Sequence, residues 1–329
     1  VSGYISMAPA VLHPPSASLC LVIQISSCIM VGQCLNHAGN VGLDIGLRTT
    51  AHDEVRKKFA NGLLELVQSR SYEKQVPVVV NLFDSTYSRF LAGWAHRVAT
   101  CGMTQQVVVA LDIDVLAKAA AKNLPALTGT GIIASQKLSW LQDQANTTWN
   151  MPMDFAELKM LTPKILLSAG FHRVIVSEAD VFWVTTPLSL MQDTGDFAAM
   201  LDSTDIDSRT LNIGFMIFTG TSSVRLLDRF LNEWRLQRVK TEITSDQKIF
   251  NNLLFHDPLM RVVGLPAALF AVRPTNVGAH TRVLHCAWTT PPCKQELLSK
   301  FYENAVVGPG DMMTLTKEAL SAVSPAHHS

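Results

Sequence analysis

Two carboxylates, Glu178 and Asp180, interrupt an otherwise apolar stretch of the chain. The stretch reads VIVSEADVFW, with β-branched residues before the acids and Val181, Phe182 and Trp183 after them. Because an unpaired charge is costly to bury, these carboxylates need a partner. Side chains alternate along a strand, so Glu178 and Asp180 are expected to face the same side. Two adjacent carboxylates repel each other unless a cation lies between them or one is protonated.

A hard divalent cation such as Mg²⁺ or Mn²⁺ suits this pair, because these ions prefer carboxylate, water and phosphate oxygens. A helix N-cap or a salt bridge at the end of a strand would account for the same two acids. The spacing alone leaves both interpretations open.

Strands alternate with helices along the chain and would position these acids. Apolar runs predict strands over residues 76–83, 106–114, 173–180, 211–218 and 260–270. The intervening segments predict helices over residues 50–70, 89–102, 115–123, 155–170 and 222–239. This alternation favours an α/β fold with a mainly parallel open sheet and helices on both faces.

Three successive predicted strands end in acidic residues. The first is followed by Asp84, the second ends in Asp112 and Asp114, and the third ends in Glu178 and Asp180. Ligands of open α/β sheets bind beyond the carboxyl ends of the strands. The three acidic ends therefore predict the polar floor of a single pocket.

The charge balance argues against a nucleic-acid partner. The 329 residues include 27 Lys and Arg and 27 Asp and Glu, which gives a formal net charge of zero. No basic excess is present to attract a polyanion. With 48% hydrophobic residues, the chain can form one large α/β domain or two modest ones around an ample core. The expected partner is small or locally recognised.

Other sequence motifs are weak. The chain has no GxxxxGK[ST], GxSxG or HExxH pattern. Residues 129–134 match GxGxxA, but the preceding NLPALT is not a convincing strand, so this is a weak indication of a dinucleotide site. The six cysteines include no CxxC pair, which makes a cysteine zinc site unexpected. Cys286 and Cys293 could close a small disulfide loop or remain two small unpaired hydrophobic residues.

The N-terminal region carries ambiguous membrane signals. Residues 19–35 are about one membrane span long, but Gln and Ser residues dilute them and no Lys or Arg precedes them. A signal anchor and a buried leader both remain open. Residues 36–50 are rich in Gly and Asn and predict a linker. Asn146-Thr147-Thr148 is an N-glycosylation acceptor pattern.

Four segments of the chain occur in an order typical of one enzyme family. They are KILLSAGFHRVIVSEADVFWVTTP, LNIGFMIFTG, TSDQKIFNNLL and VLHCAW. In this order they resemble the signature segments of nucleotide-diphospho-sugar transferases related to plant and algal α-xylosyl- and arabinosyltransferases, glycosyltransferase family 77. The resemblance extends over residues 76–301. It implies a GT-A fold with a nucleotide-binding half and an acceptor half, here as a domain over residues 51–310 between a leader (1–50) and a C-terminal tail (311–329).

The resemblance also assigns a metal site. In this family an Asp-x-Asp motif at the end of a strand holds a divalent ion, Mn²⁺ or Mg²⁺, that bridges the donor diphosphate. Glu178 and Asp180 match this motif, and His285 matches the histidine that often completes the metal shell. The first acid departs from the pattern, because Glu178 is one methylene longer than Asp. Asp180 is therefore the expected direct ligand, and Glu178 is expected to reach the ion through water or to contact the ribose.

Two further residues are expected to bind the nucleoside of a nucleotide-sugar. Asp112 is placed to accept hydrogen bonds from the base or ribose. Tyr87 could stack on the base, although a Tyr after a strand more often packs within its loop.

The later segments are expected to contact the sugar. Asn212 and Gly214 fit a place where the backbone comes close to the donor sugar, or else an ordinary tight strand entry. Asp246 and Gln247 would line the donor-sugar and acceptor side, and they are the candidate catalytic residues. No nucleophile is assigned.

The sequence thus predicts a metal-dependent glycosyltransferase that moves a sugar from a nucleotide-diphosphate donor, expected to be a UDP-sugar, to a hydroxyl of a glycan or glycoprotein. Retention of anomeric configuration follows from the resemblance alone. Glu178 in place of Asp motivates a second hypothesis, a non-catalytic relative that binds nucleotide-sugar or glycan. The resemblance, the glycosylation pattern and the candidate anchor predict a type II protein of the Golgi membrane with a lumenal catalytic domain.

Overall fold

The computed structural model describes residues 41–134, 155–187, 189, 194–202, 210–239, 245–257, 259–287, 291–303, 314 and 316. The chain divides into two compact units, Val1–Ile45 and Gly46–Ser329. Within the first unit the described residues are 41–45, and they are helical. The strands and the remaining helical residues described below belong to the second unit.

Ten strands form two sheets in the described part of the chain. They are β1 (Val78–Phe83), β2 (Gln105–Ala110), β3 (Ala126–Thr128), β4 (Arg173–Ser177), β5 (Val181–Trp183), β6 (Phe197–Leu201), β7 (Leu211–Thr219), β8 (Val262–Leu265), β9 (Phe270–Ala271) and β10 (Val283–His285). The large sheet has the order β3-β2-β1-β4-β7-β6-β8, and the small one has the order β5-β10-β9. In the large sheet β7 runs antiparallel to both neighbours, and the other pairs are parallel.

Helices cover both faces of the large sheet. They are α1 (Val41–Ser69), α2 (Leu91–Thr100), α3 (Ile113–Ala121), α4 (Ala156–Ser168), α5 (Gly220–Val239), α6 (Asp246–Phe255) and α7 (Pro291–Glu303). On one face, alternate residues of β1 pack in a core with α1, α4, α5 and α6. On the other face, the remaining apolar residues of β1 pack with α2, α3 and the small sheet. Every residue of β1 and β2 is buried, as expected for strands covered on both sides. The predicted mainly parallel α/β fold is confirmed.

The small sheet lies where the third predicted strand ends. β10 pairs antiparallel with β5, and this register sets His285 opposite Val181. The Arg97 side chain donates to the carbonyl oxygens of Trp183 at 2.8 Å and Val184 at 2.7 Å. These hydrogen bonds tie β5 to α2. The amide of Cys286 donates to the carbonyl of Asp180 at 3.0 Å and continues the pairing toward the two acids.

Several predicted boundaries are wrong, and each has a local cause. The strand predicted over 173–180 ends at Ser177, because the chain turns after it, with the Val181 amide donating to the carbonyl of Glu178. The strand predicted over 106–114 ends at Ala110, because Asp112 caps α3. Residues 41–50 are helical instead of a linker, since a Gly within a helix costs only about 1 kcal/mol.

Two later segments also differ from expectation. Residues 260–270 divide between β8 and β9, with a turn at Pro266 between the two sheets. Residues 126–128, which were not expected to form a strand, pair with β2 as β3. Residues 130–134 after it are helical. A Cβ at Gly129 would lie 2.5 Å from Leu158 Cδ1, so close packing against α4 explains this glycine of the GxGxxA match.

Some predictions fall on other parts of the chain. Residues 19–35, the Asn146 acceptor pattern and the side chain of Cys293 lie outside the described residues. Cys286 is buried in the small core between β10 and α7. Among the described helices, none combines the length and apolar character needed to cross a membrane. The domain limits at residues 51 and 310 remain a prediction.

Candidate active site

Glu178, Asp180 and His285 meet at the carboxyl end of β4. The first two lie on the turn after β4, closed by a hydrogen bond of 3.0 Å from the amide of Val181 to the carbonyl of Glu178. His285 ends β10. Its Nε2 lies 3.3 Å from Asp180 Oδ1 and 3.5 Å from Glu178 Oε2. Among the described residues, these three form the group of acids, Cys and His with ligand atoms close enough to hold a metal ion, all within 4.8 Å of one another.

Asn212 orients the imidazole of His285. Asn212 Oδ1 lies 2.8 Å from His285 Nδ1 and also accepts from the Gly214 amide at 3.0 Å. Its amide nitrogen donates to Asp202 Oδ1 at 3.4 Å. Because Oδ1 is the acceptor, Nδ1 must carry a proton, and Nε2 faces the two carboxylates. Such a hydrogen bond at the remote nitrogen is the usual support of a histidine that ligates a metal.

Gly214 makes room for the imidazole ring. A Cβ at this position would lie 2.2 Å from His285 Cε1 and 2.5 Å from Nδ1. The ring therefore rests directly on the backbone of β7. Any side chain at position 214 would displace the histidine.

Two lysines, Lys159 and Lys294, compensate the negative charges of the acids. Lys159, on α4, places Nζ 2.6 Å from Glu178 Oε1 and 3.0 Å from Asp246 Oδ2. Lys294, on α7, forms an ion pair with Asp180 Oδ2. Each acid of the cluster thus has one oxygen on a lysine and the other facing His285. Sequence reasoning missed both lysines. The sequence signal for Lys159 is its place in the largely apolar helical stretch AELKMLTPKILL, and residues 156–163 of this helix are all buried in the structure.

The charges of the cluster shift one another's titration. Burial by itself would lower the pKa of His285, but Asp180 and Glu178 raise it to about 9. Burial opposes ionisation of both acids, yet Lys159 and His285 hold the pKa of Glu178 below its usual range. His285 and Lys294 lower the pKa of Asp180 in the same way. The electrostatic environment of His285 Nε2 therefore favours a positive charge.

Asp246 and Gln247 connect to this cluster through intermediates. Asp246 shares the Lys159 ammonium with Glu178. Gln247 Nε2 donates to Asp202 Oδ2 at 3.2 Å, and Asp202 in turn accepts from Asn212. The beginning of α6 is thus joined to both sides of the Glu178–Asp180–His285 group. Their catalytic role, and the sugar contacts of Asn212 and Gly214, remain predictions.

Tyr87 and Asp112 lie in the loops that follow β1 and β2. Tyr87 is half-buried, and burial is the main cause that raises its pKa to about 12, with Lys294 and Asp180 near enough to influence it. Asp112 caps α3 by accepting from the amide of Val115 at 2.9 Å, and its other oxygen accepts from the amide of Ser85 at 2.5 Å. Both Asp112 oxygens are used within the protein. Nucleoside binding by these two residues remains a prediction.

The acidic and imidazole cluster lies at the strand ends of an open α/β sheet, which is where proteins of this class bind their ligands. A sequence comparison identifies the family. Residues 101–292, more than half of the chain, match the family model described as nucleotide-diphospho-sugar transferase. The chain belongs to the nucleotide-diphospho-sugar transferase family. The matched region includes the whole Glu178–Asp180–His285 group. No curated protein matches the chain in sequence.

Several solved structures are similar to this chain. The galactosyltransferase LgtC, solved with donor and acceptor sugar analogs, is 15% identical, with 73% of this chain and 95% of that chain covered and a TM-score of 0.44. The apo glycosyltransferase GlyE of Streptococcus pneumoniae is 13% identical over 75% of this chain and 63% of its own, with a TM-score of 0.46. Mouse xyloside xylosyltransferase 1 is 10% identical over 65% and 98%, with a TM-score of 0.40.

Proposed function

We propose that this protein transfers a sugar from a nucleotide-diphosphate donor, a UDP-sugar, to a hydroxyl of a glycan or glycoprotein with the help of a divalent metal. Family membership supports the transferase class and a nucleotide-sugar donor. The observation that carries metal dependence is the convergence of Glu178, Asp180 and His285. Retention of configuration is proposed from the family 77 resemblance.

The residues of the cluster fit a Mn²⁺ or Mg²⁺ ion. Such ions bind oxygen ligands at about 2.1 Å, so neighbouring ligands of an octahedral ion are about 3 Å apart. The separations of 3.3 and 3.5 Å around Nε2 are close to this value. The Asn212 contact keeps a proton on Nδ1, so Nε2 is the nitrogen that would coordinate, with the ion displacing the Nε2 proton. When bound, the ion would act as a Lewis acid toward the departing diphosphate.

The chain's own residues hold this arrangement in place. Lys294 and Lys159 each bind one oxygen of an acid and leave the other oxygen directed to the ion site. Asn212 and Gly214 fix the ring of His285. Asp246 and Gln247, at the beginning of α6, are proposed to face the donor sugar and the acceptor, next to the diphosphate.

The first test is a titration of UDP into the full chain with and without Mn²⁺. Asp180→Asn is compared with Asp228→Asn, a matched change at a half-exposed aspartate that pairs with Lys164 on the surface. We expect Mn²⁺ to be required for tight UDP binding and Asp180→Asn to weaken it at least about tenfold. Asp228→Asn is expected to behave as the native chain. Equal UDP binding in the absence of metal would contradict the proposal.

A turnover assay distinguishes the proposed transferase from the non-catalytic alternative. Release of UDP from a panel of UDP-sugars, with and without simple glycan acceptors, would establish transfer or donor hydrolysis. Metal-dependent UDP binding with no UDP release from any donor would favour a binding relative instead.

We also propose the Golgi lumen as the location, with a type II membrane orientation. The support is the family resemblance, the acceptor pattern at Asn146 and the apolar residues 19–35. Co-localisation of a tagged chain with Golgi markers and a glycosidase-sensitive shift that is lost in Asn146→Gln would test it. A cytosolic distribution without the shift would contradict it.

A further inference from the structure

Position 178 poses a geometric problem for a metal site. Glu178 has one more rotatable bond than the aspartate of the resembling motif, so its carboxylate can reach more positions. Its side chain is 26% exposed, and the surrounding core therefore does not immobilise it. To present one oxygen at a fixed point, Glu178 needs a specific partner.

Lys159 is that partner in the structure. Its side chain is 2% exposed and projects from α4. Nζ lies 2.6 Å from Oε1 of Glu178, whereas Oε2 of the same acid lies 3.5 Å from His285 Nε2. The lysine thus binds Oε1 of Glu178 and leaves Oε2 directed toward the proposed ion.

The same ammonium reaches a second acid. Asp246 Oδ2 is 3.0 Å from Lys159 Nζ, and its side chain is 25% exposed. Without the lysine, Glu178 and Asp246 would be two like charges facing each other, and their repulsion would turn Glu178 away from its present position. Lys159 therefore joins the turn after β4 to the beginning of α6.

We propose that Lys159 is a positioning residue that enables a glutamate to serve at position 178, by directing Oε2 to the metal and linking the metal site to Asp246. This inference rests on the proposed function, since it presumes the ion. It differs from a simple charge-balancing role. A lysine that only balanced charge would repel the ion, so its removal would strengthen Mn²⁺ binding. Removal of a lysine that positions Glu178 would instead weaken Mn²⁺ binding.

The test measures Mn²⁺ affinity of the full chain, from the electron paramagnetic resonance signal of free Mn²⁺, without nucleotide or turnover. Lys159→Met is expected to weaken Mn²⁺ binding about tenfold, as loss of a group that orients a ligand usually does. Lys164→Met is the matched control, because Lys164 lies on the same helix and pairs with Asp228 at 2.5 Å on the surface. The control is expected to bind Mn²⁺ as the native chain does.

A double-mutant cycle tests the link to the length of Glu178. Glu178→Asp alone is expected to weaken Mn²⁺ binding, because the shorter side chain cannot reach both Lys159 and the ion. In the Glu178→Asp background, Lys159→Met should then cost much less than in the native chain. If Glu178→Asp and Lys159→Met have independent, additive effects on the free energy of Mn²⁺ binding, the inference is overturned. Lys159→Arg, which keeps a cation able to bind both acids, should recover most of the affinity.

The outcomes separate the two proposals. If the native chain binds no Mn²⁺, the proposed function and the role of Lys159 fall together. If the native chain binds Mn²⁺ and Lys159→Met binds it equally well or more tightly, the inference about Lys159 alone is overturned. If Lys159→Met does not fold, Lys159→Gln replaces it, because glutamine keeps a polar end group in the helix. The same loss of Mn²⁺ affinity is expected for Lys159→Gln.

Discussion

At the residue scale, the imidazole of His285 is the centre of the candidate site. Its Nε2 faces one oxygen from each of two acids, and its Nδ1 contacts an amide oxygen that also accepts from the backbone. Histidine that is held in one tautomer and rotamer is well suited to bind a metal, because little freedom remains to be lost. The close approach of the ring to Gly214 is part of this restraint.

Gly214→Ala is expected to displace His285 and to weaken Mn²⁺ binding by at least about tenfold. The reason is steric, since the new methyl group would lie 2.2 Å from Cε1 of the ring. Mn²⁺ titration of the full chain provides the measurement. Gly62→Ala on α1 is the matched control, because a Cβ there has no neighbour within 4 Å. A Gly214→Ala chain that binds Mn²⁺ like the control would show that the ring is not a ligand.

At the element scale, the site depends on the chain leaving the large sheet after Ser177 and continuing in the small one. A continuous strand would have placed Glu178 and Asp180 along one edge by simple alternation. Instead a turn brings them together, and the antiparallel pair of β5 and β10 delivers His285 from more than a hundred residues away. The first residues of β7 complete the support, with Gly214 beneath the ring and the Asn212 side chain hydrogen-bonded to Nδ1.

Asp196, directly before β6, is hydrogen-bonded to Ser222 on α5 and to Arg261, the residue before β8, and these contacts make the stability of the fold depend on pH. Hydrogen bonds from Ser222 and from the Arg261 amide lower the pKa of Asp196 below its usual range. A lowered folded-state pKa adds stability above the unfolded pKa of about 3.9, and this contribution disappears as the pH falls through the folded value.

We therefore expect Asp196→Asn to lower the free energy of unfolding by about 1 kcal/mol at neutral pH, where solvent screens part of the effect. The difference from the native chain should shrink in acid. Urea unfolding of both chains at pH 7 and near pH 3 is the measurement. A difference that stays constant with pH would contradict the titration argument.

At the scale of the whole molecule, the candidate site gathers side chains from α4, the turn after β4, β7, α6, β10 and α7. They meet at one edge because the carboxyl end of β4 opens there, the antiparallel strand β7 begins at the same edge, and β10 of the small sheet ends beside it. A ligand bound there would hold together segments that are far apart in the chain. Such a ligand binds only the folded state and stabilises it by mass action.

Mn²⁺ with UDP is expected to raise the thermal unfolding midpoint of the native chain. At a ligand concentration of about 100 times the dissociation constant, binding adds about 3 kcal/mol to the free energy of unfolding. The Asp180→Asn chain should show little of this shift, whereas Asp228→Asn should show all of it. Differential scanning fluorimetry over a range of Mn²⁺ and UDP concentrations gives the measurement. A shift of equal size in Asp180→Asn would place the ligand elsewhere.

Local patterns in the sequence were enough for the α/β class, for most of the strands and helices, and for the family resemblance. The buried strands at 78–83 and 105–110 are continuous apolar runs, and the helix at 220–239 follows the apolar spacing of its residues. The acids at 178 and 180 stood out because they interrupt such a run. These features depend only on residues that are close together along the chain, so the sequence alone is enough to predict them.

The tertiary structure alone decided how the site is assembled. Lys159, Asp202 and Lys294 carried no motif, and their contacts with Glu178, Asn212 and Asp180 depend on strand register and helix packing. Asp112 was expected to accept hydrogen bonds from a base or ribose, which remains a prediction, and only the structure shows that it caps α3 and accepts from the Ser85 amide. Gly214 was expected close to the donor sugar, which remains a prediction, and only the structure shows that it lies beneath the imidazole of His285. Pairings of this kind join residues distant in the chain, and no local periodicity encodes which of them will meet.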